Sequence, residues 1–81
     1  MTVRVRFFAI LRDLAGVAEV PLELDEGATV ARATEALLKW FPALREHLPR
    51  CAFAVNRAYV KPDVSLNDGD ELALIPPVSG G

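Results

Sequence analysis

The 81-residue chain has a single cysteine, Cys51. That excludes an internal disulfide, a zinc site built on several cysteines and a four-cysteine iron–sulfur cluster. It has no large excess of either charge: nine cations stand against eleven anions, a net charge of -2. A general electrostatic attraction to nucleic acid or to an anionic membrane is therefore not expected. Long apolar runs are missing too. The longest near the start is Phe7 to Leu11, too short for a signal peptide or a membrane span. Arg4 and Arg6 stand where a signal peptide would need its apolar stretch, so a cytoplasmic location is expected. No repeat, low-complexity tract or interdomain linker divides the chain, and its length suits one domain.

What is present is apolar residue, 52% of the chain, which argues against disorder. A domain this small buries only about 60–65% of the surface its unfolded chain exposes, so those residues must be well placed. Val3, Val5 and Phe7 alternate with Thr2, Arg4 and Arg6, the period of a half-buried strand. Val20, Leu22 and Leu24 repeat the pattern, and Pro21 places this second strand at an edge. Gly16 lies between the two runs, and a hairpin is the simple reading. Thr29 can cap a helix whose stripe is Val30, Ala33, Leu37 and Phe41, widened by Leu38, and Pro42 ends it. Ala43 to Leu48 suits a short second helical piece. Cys51–Val55 and Ala58–Val60 read as strands around an Asn56-Arg57 turn. Asn67-Asp68-Gly69-Asp70 is a turn before a last strand, Glu71–Ile75. Strand, strand, helix, strand, strand, strand describes an α+β domain with one main helix laid across a mixed sheet of four to five strands. It occupies residues 1–75, and residues 76–81 form an extended tail.

That tail, Pro76-Pro77-Val78-Ser79-Gly80-Gly81, is the most informative segment. The prolines stiffen its exit from the sheet. Six extended residues reach roughly 20 Å. Glycines without a Cβ fit a narrow channel. A carboxylate on Gly81 is ionised at neutral pH and is a poor electrophile, so its use as an acyl group requires activation, for example as an adenylate. From the dipeptide alone, a frayed end that happens to hold two glycines fits as well.

Four blocks break that tie. Phe7-Phe8-Ala9-Ile10-Leu11-Arg12-Asp13-Leu14-Ala15-Gly16, Ala54-Val55-Asn56-Arg57, Leu66-Asn67-Asp68-Gly69-Asp70-Glu71 and Ile75-Pro76-Pro77-Val78-Ser79-Gly80-Gly81 stand in the order seen in the small subunits of molybdopterin synthase. The chain resembles that sulfur-carrier family, part of the MoaD/ThiS group, over its whole length. Asp13 stands where the family more often has Glu. The resemblance implies a ubiquitin-like β-grasp fold. It also implies that an ATP-dependent, ubiquitin-activating-like adenylyltransferase adenylates Gly81 and that a sulfurtransferase system converts the adenylate to a thiocarboxylate. The tail then enters the large synthase subunit, with Gly80 fitting its channel, and donates sulfur to cyclic pyranopterin monophosphate to build the dithiolene of molybdopterin. The implied assembly is a heterotetramer, with no tightly bound cofactor or metal on this chain and no enzymatic activity of its own. Matching family positions place Phe8, Arg12, Tyr59 and Ile75 in the docking surface, followed by Pro76, Pro77, Val78 and Ser79.

Alternation supports part of that surface independently. With Val3, Val5 and Phe7 turned to the core, Phe8 shares the other face with Arg4 and Arg6; with Leu72 and Leu74 also turned to the core, Ile75 shares that other face with Ala73 and Glu71. Exposed apolar patches of this kind mark partners, although the same residues could cover a sheet edge. Cys51 reads as a buried structural thiol, His47 as a solvent-facing residue and Trp40 as cover near the helix end. Asp68, Asp70 and Glu71 read as turn chemistry around Gly69 rather than a cation site. Three other functions stay open at this level: a sulfur carrier for thiamine, cysteine or tRNA thiolation, a ubiquitin-like modifier joined through Gly81, and a binding module with an inert tail.

Overall fold

The computed structural model describes residues 1–78. Along them run β1 (Thr2–Phe7), α1 (Ile10–Ala15), β2 (Glu19–Glu23), α2 (Val30–Trp40), β3 (Ala52–Val55), β4 (Ala58–Val60) and β5 (Glu71–Ile75). Two 3-10 turns, Pro42–Leu44 and Leu48–Arg50, link α2 to β3. The sheet order is β2-β1-β5-β3-β4. β1 and β5 are parallel neighbours at its centre, and the outer pairings are antiparallel. This is the five-stranded form of the expected β-grasp.

Local chemistry sets the elements and packing joins them. Thr29 caps α2, its hydroxyl accepting the Arg32 amide at 3.2 Å. Val30, Ala33 and Leu37 then fall on one stripe and are buried against Val3, Val5, Phe7, Leu72 and Leu74 of the sheet. Phe41 ends the helix edge-on to Phe7, ring centroids 5.4 Å apart, which ties the end of α2 to the end of β1. Pro42 cannot continue the α-helical ladder and opens the first 3-10 turn. All seven residues expected in the core (Val3, Val5, Phe7, Val30, Leu37, Leu72 and Leu74) are buried.

Pro21 does lie on an edge strand. Ala18 and Leu24 bond to Phe7 and Met1 on the β1 side, so by alternation Glu19, Pro21 and Glu23 turn their backbone outward.

Four expectations need correction. β1 and β2 pair antiparallel, but α1 interrupts the simple hairpin. Leu11 is wholly buried, and one helical turn is what drops it into the end of the core beside the first 3-10 turn. Gly16 closes α1 at φ 78, its N–H donating to the Arg12 carbonyl at 2.9 Å. Cys51 is outside β3 and only half-buried, because the Leu48–Arg50 turn ends on it. His47 is half-buried rather than solvent-facing, since the flanking Leu44 and Leu48 are drawn into the core. Trp40 is 75% exposed and covers little: it stands at the mouth of an apolar groove between β2 and α2, with Val20, Leu22 and Phe41.

Candidate functional site

α2 covers one face of the sheet and leaves the other open. Register assigns the open face residue by residue. Arg6 pairs with Ala73, Ala73 with Ala54, and Ala54 with Tyr59, a row running across four strands. Neighbouring strands lie about 4.8 Å apart, so Tyr59 stands roughly 14 Å from Arg6. Alanines form the floor between them, and Tyr59 rises at the far side with 75% of its surface exposed. Ala54 is buried although it is not part of the core cluster, consistent with its central place on this second face.

Beside that row the parallel register runs Arg6 with Ala73 and Phe7 with Leu74. Its next step sets Phe8 beside Ile75, both half-buried. Phe8 is held from one side: the Arg6 guanidinium sits over its ring, 5.1 Å from the centroid. Arg6 is itself fixed by Glu71, Nη1 to Oε1 at 3.0 Å. Glu71, Arg6 and Phe8 thus form a chain from charge to apolar surface on one face. Arg4 to Glu19, at 4.0 Å and largely solvated, adds little.

The tail leaves from this corner. β5 ends at Ile75, one residue past the Phe7–Leu74 pair on one side and, through its pairing with Ala52, beside the start of β3 on the other. Pro76 is half-buried, Pro77 exposed, and Val78 94% exposed. Ser79, Gly80 and Gly81, which carry the expected chemistry, lie outside the described residues. The structure therefore brings Phe8, Ile75 and Tyr59 to one face. Arg12 is exposed on α1, off the sheet. Sequence reasoning placed Arg6 and Glu71 on this face but missed that Glu71 fixes the Arg6 guanidinium that covers Phe8. That needs the β1–β5 register, which no local pattern contains.

Other candidates are accounted for structurally. The Asp68 carboxylate accepts the Thr2 amide at 2.7 Å. Asp70 accepts the Asn67 amide at 2.7 Å and the Asn56 side-chain amide at 2.9 Å. These acids are spent on turn backbone, and among the described residues no His, Cys, Asp and Glu cluster suits a metal ion. Burial pushes the Cys51 thiol above its ordinary pKa, the reverse of what a reactive thiolate needs, and its Sγ donates to the His47 carbonyl at 3.2 Å. Among the described residues no helix is long and apolar enough to cross a membrane.

Comparison with known proteins agrees with this fold. The model of the ThiS family matches residues 5–81. The molybdopterin synthase sulfur carrier subunit of Chlamydomonas reinhardtii is 42% identical over 83 residues, covering all of both chains. SAMP1 of Haloferax volcanii superposes with a TM-score of 0.92 at 32% identity, again over both chains in full. A chain of the complex between subunits 1 and 2 of molybdopterin-converting factor from Helicobacter pylori gives 0.71 at 30% identity over both full lengths.

Proposed function

This chain belongs to the ThiS family, and on that premise we propose that it is the sulfur-carrier subunit of a molybdopterin synthase. The observation that carries the reading is the full-length identity of 42% to a relative bearing that name. Further relatives of the same name, from Mycobacterium tuberculosis and Escherichia coli, support it. The site geometry suits the role: a stiff Pro76-Pro77 exit beside an apolar face, while among the described residues no cluster suits a metal ion and burial holds the Cys51 thiol above its ordinary pKa.

The chemistry then belongs to the Gly81 end. Its carboxylate attacks the α-phosphorus of ATP on an activating partner, releasing pyrophosphate and leaving an acyl-adenylate. The outer sulfur of a persulfide on the sulfurtransferase system attacks the carbonyl carbon and displaces AMP, giving an acyl disulfide. A thiol of the same system then attacks the donor's sulfur, so that a protein disulfide forms and the thiocarboxylate leaves. In the large subunit the sulfur bonds to a carbon of cyclic pyranopterin monophosphate, water cleaves its bond to the Gly81 carbonyl carbon, and the carboxylate returns; a dithiolene takes two such transfers. The chain's own contribution is to dock through Phe8, Ile75 and Tyr59, with Arg12 as a polar contact, and to project Pro76 to Gly81 into the partner. The large subunit of that synthase, the adenylyltransferase and the sulfurtransferase system are the partners, and ATP is consumed by the activating enzyme rather than held here.

Intact-mass analysis after incubation with ATP, an activating enzyme and a sulfur donor tests the reading. The expected product is the chain with one oxygen replaced by sulfur. Deleting Gly81 moves the carboxylate back by about 3.3–3.6 Å along an extended chain. Since a 1 Å misplacement can cost roughly a hundredfold in rate, that deletion should abolish sulfur transfer while leaving the fold intact. Sulfuration and turnover of the shortened chain at the normal rate would sink the carrier mechanism. Gly81 joined to lysines of other proteins would instead mark a modifier.

A further inference from the structure

Between Phe8 and α1 the backbone turns through angles that an L-residue rarely adopts. Ala9 adopts φ 51 and ψ -127. The Leu11 amide donates to the Phe8 carbonyl at 3.0 Å, closing a four-residue turn over Phe8, Ala9, Ile10 and Leu11. These angles are those of the first central residue of a type II′ turn, about +60° and -120° as the mirror of type II. That position favours glycine, because a Cβ there crowds the following carbonyl. The other two non-glycine residues with positive φ, Asn56 and Arg57, occupy a two-residue hairpin turn, and the Asn56 side chain is tied down by hydrogen bonds. Ala9 has no such tie.

Its methyl group does not explain its presence either. Ala9 is exposed, so it fills no space in the core. A glycine would make the same turn with less strain. What alanine adds is restriction. The turn is pinned at both ends by buried residues, Phe7 at 2% and Leu11 at 0% exposure. Between those anchors, alanine has a narrow range of backbone angles that satisfies both, and glycine a wide one. The residues this range governs are Phe8, whose ring lies under Arg6, and Arg12 on the helix that the turn starts.

We propose that Ala9 is a positioning residue for docking: its strained turn holds Phe8 and the start of α1 in the arrangement the large subunit receives. The proposal rests on the carrier reading above. Strain is accepted in the free domain so that less ordering remains to be done on association.

The test compares three full-length chains: the unsubstituted protein, Ala9→Gly, and a chemically synthesised chain with D-alanine in place of Ala9. D-alanine favours the observed angles while keeping the backbone stiff. Thermal unfolding reports strain, and calorimetric titration against the large subunit reports docking. Ala9→Gly should raise Tm by roughly 2–6 °C. It should also weaken binding by about three- to tenfold, as ordering of the turn moves to the association step. A residue with a merely structural role would not move stability and affinity in opposite directions. The D-alanine chain should gain at least as much Tm and bind within about twofold of the unsubstituted protein. An unchanged or lower Tm for Ala9→Gly overturns the strain. Undiminished affinity of that variant overturns the positioning role, as does a D-alanine chain that binds as weakly as Ala9→Gly. Failure of the unsubstituted protein to bind the large subunit would overturn the carrier reading and this proposal with it, whereas failure confined to the variants leaves that reading standing.

Discussion

Arg57 sits at φ 72 in the turn between β3 and β4, where two successive positive angles define a type I′ hairpin. The first position is well served by Asn56, whose side chain accepts the Glu71 amide at 3.0 Å and donates to Asp70 at 2.9 Å. The second asks for glycine. Arg57→Gly should therefore stabilise the domain by about 1 kcal/mol, read as a higher urea midpoint with an unchanged slope. Asn56→Ala should do the opposite, by about 1–2 kcal/mol, because it also removes one hydrogen bond to Asp70 and one to the Glu71 amide at the start of β5. Cys51 offers a pH test. Burial raises its folded pKa above the ordinary 9.0. The unfolded chain then loses its thiol proton at lower pH than the folded one. The associated stability is complete below the unfolded pKa and is lost as pH rises through the folded value. Above about pH 9 the unsubstituted protein should lose stability faster than Cys51→Ala. Parallel pH profiles would show that burial of the thiol has no thermodynamic effect.

At the scale of elements, the sheet's β2 edge is blunted by one residue. Glu19, Pro21 and Glu23 turn their backbone groups outward, and the middle one has no N–H to offer. Two carboxylates flank it. Such an edge resists pairing with another chain. Pro21→Val completes the row of donors on a strand already suited to valine. The expected result is concentration-dependent self-association in sedimentation velocity with native circular dichroism, and a strictly monomeric variant would mean that the glutamates alone protect the edge. Legibility also divides by element. β1, β5 and α2 each repeat their period over several residues, so alternation and the Val30, Ala33, Leu37 stripe expose them in the sequence. α1 runs for six residues with one buried side chain, Leu11, and so has no period to read. Its existence is decided by the hole at the end of the core rather than by its own pattern, which is why a plain hairpin accounts for the sequence taken alone. Cys51 and Trp40 misled for a related reason. Apolar type suggests burial, but the turn at Leu48–Arg50 and the last turn of α2 decide where each side chain goes.

For the whole molecule, the proposed docking face depends on a pairing between residues 65 positions apart, Arg6 with Glu71. Alternation alone names which residues share a face of each strand; only the parallel β1–β5 register turns those lists into one surface. That surface allows docking and chemistry to be separated. Phe8 is half-buried and outside the core cluster, so Phe8→Ala should cost the free domain no more than about 1 kcal/mol, chiefly the lost stacking of Arg6. Arg6 keeps Glu71 as its partner in that variant. Phe8→Asp is a less clean test, because the new carboxylate would stand beside Arg6 and could draw it away from Glu71. As an aromatic anchor at an interface, Phe8 should be worth roughly 1.5–3 kcal/mol, or about 10- to 150-fold in affinity for the large subunit. The tail is untouched, so dithiolene production should recover toward its normal maximum once the large subunit is in excess. Removal of Gly81 should show the reverse: affinity close to normal and no product at any concentration. Titrating the large subunit against each variant and fitting half-saturation and maximum separately distinguishes the two. A Phe8→Ala variant that lowers the maximum without shifting half-saturation would place Phe8 in the sulfur-transfer step rather than in docking.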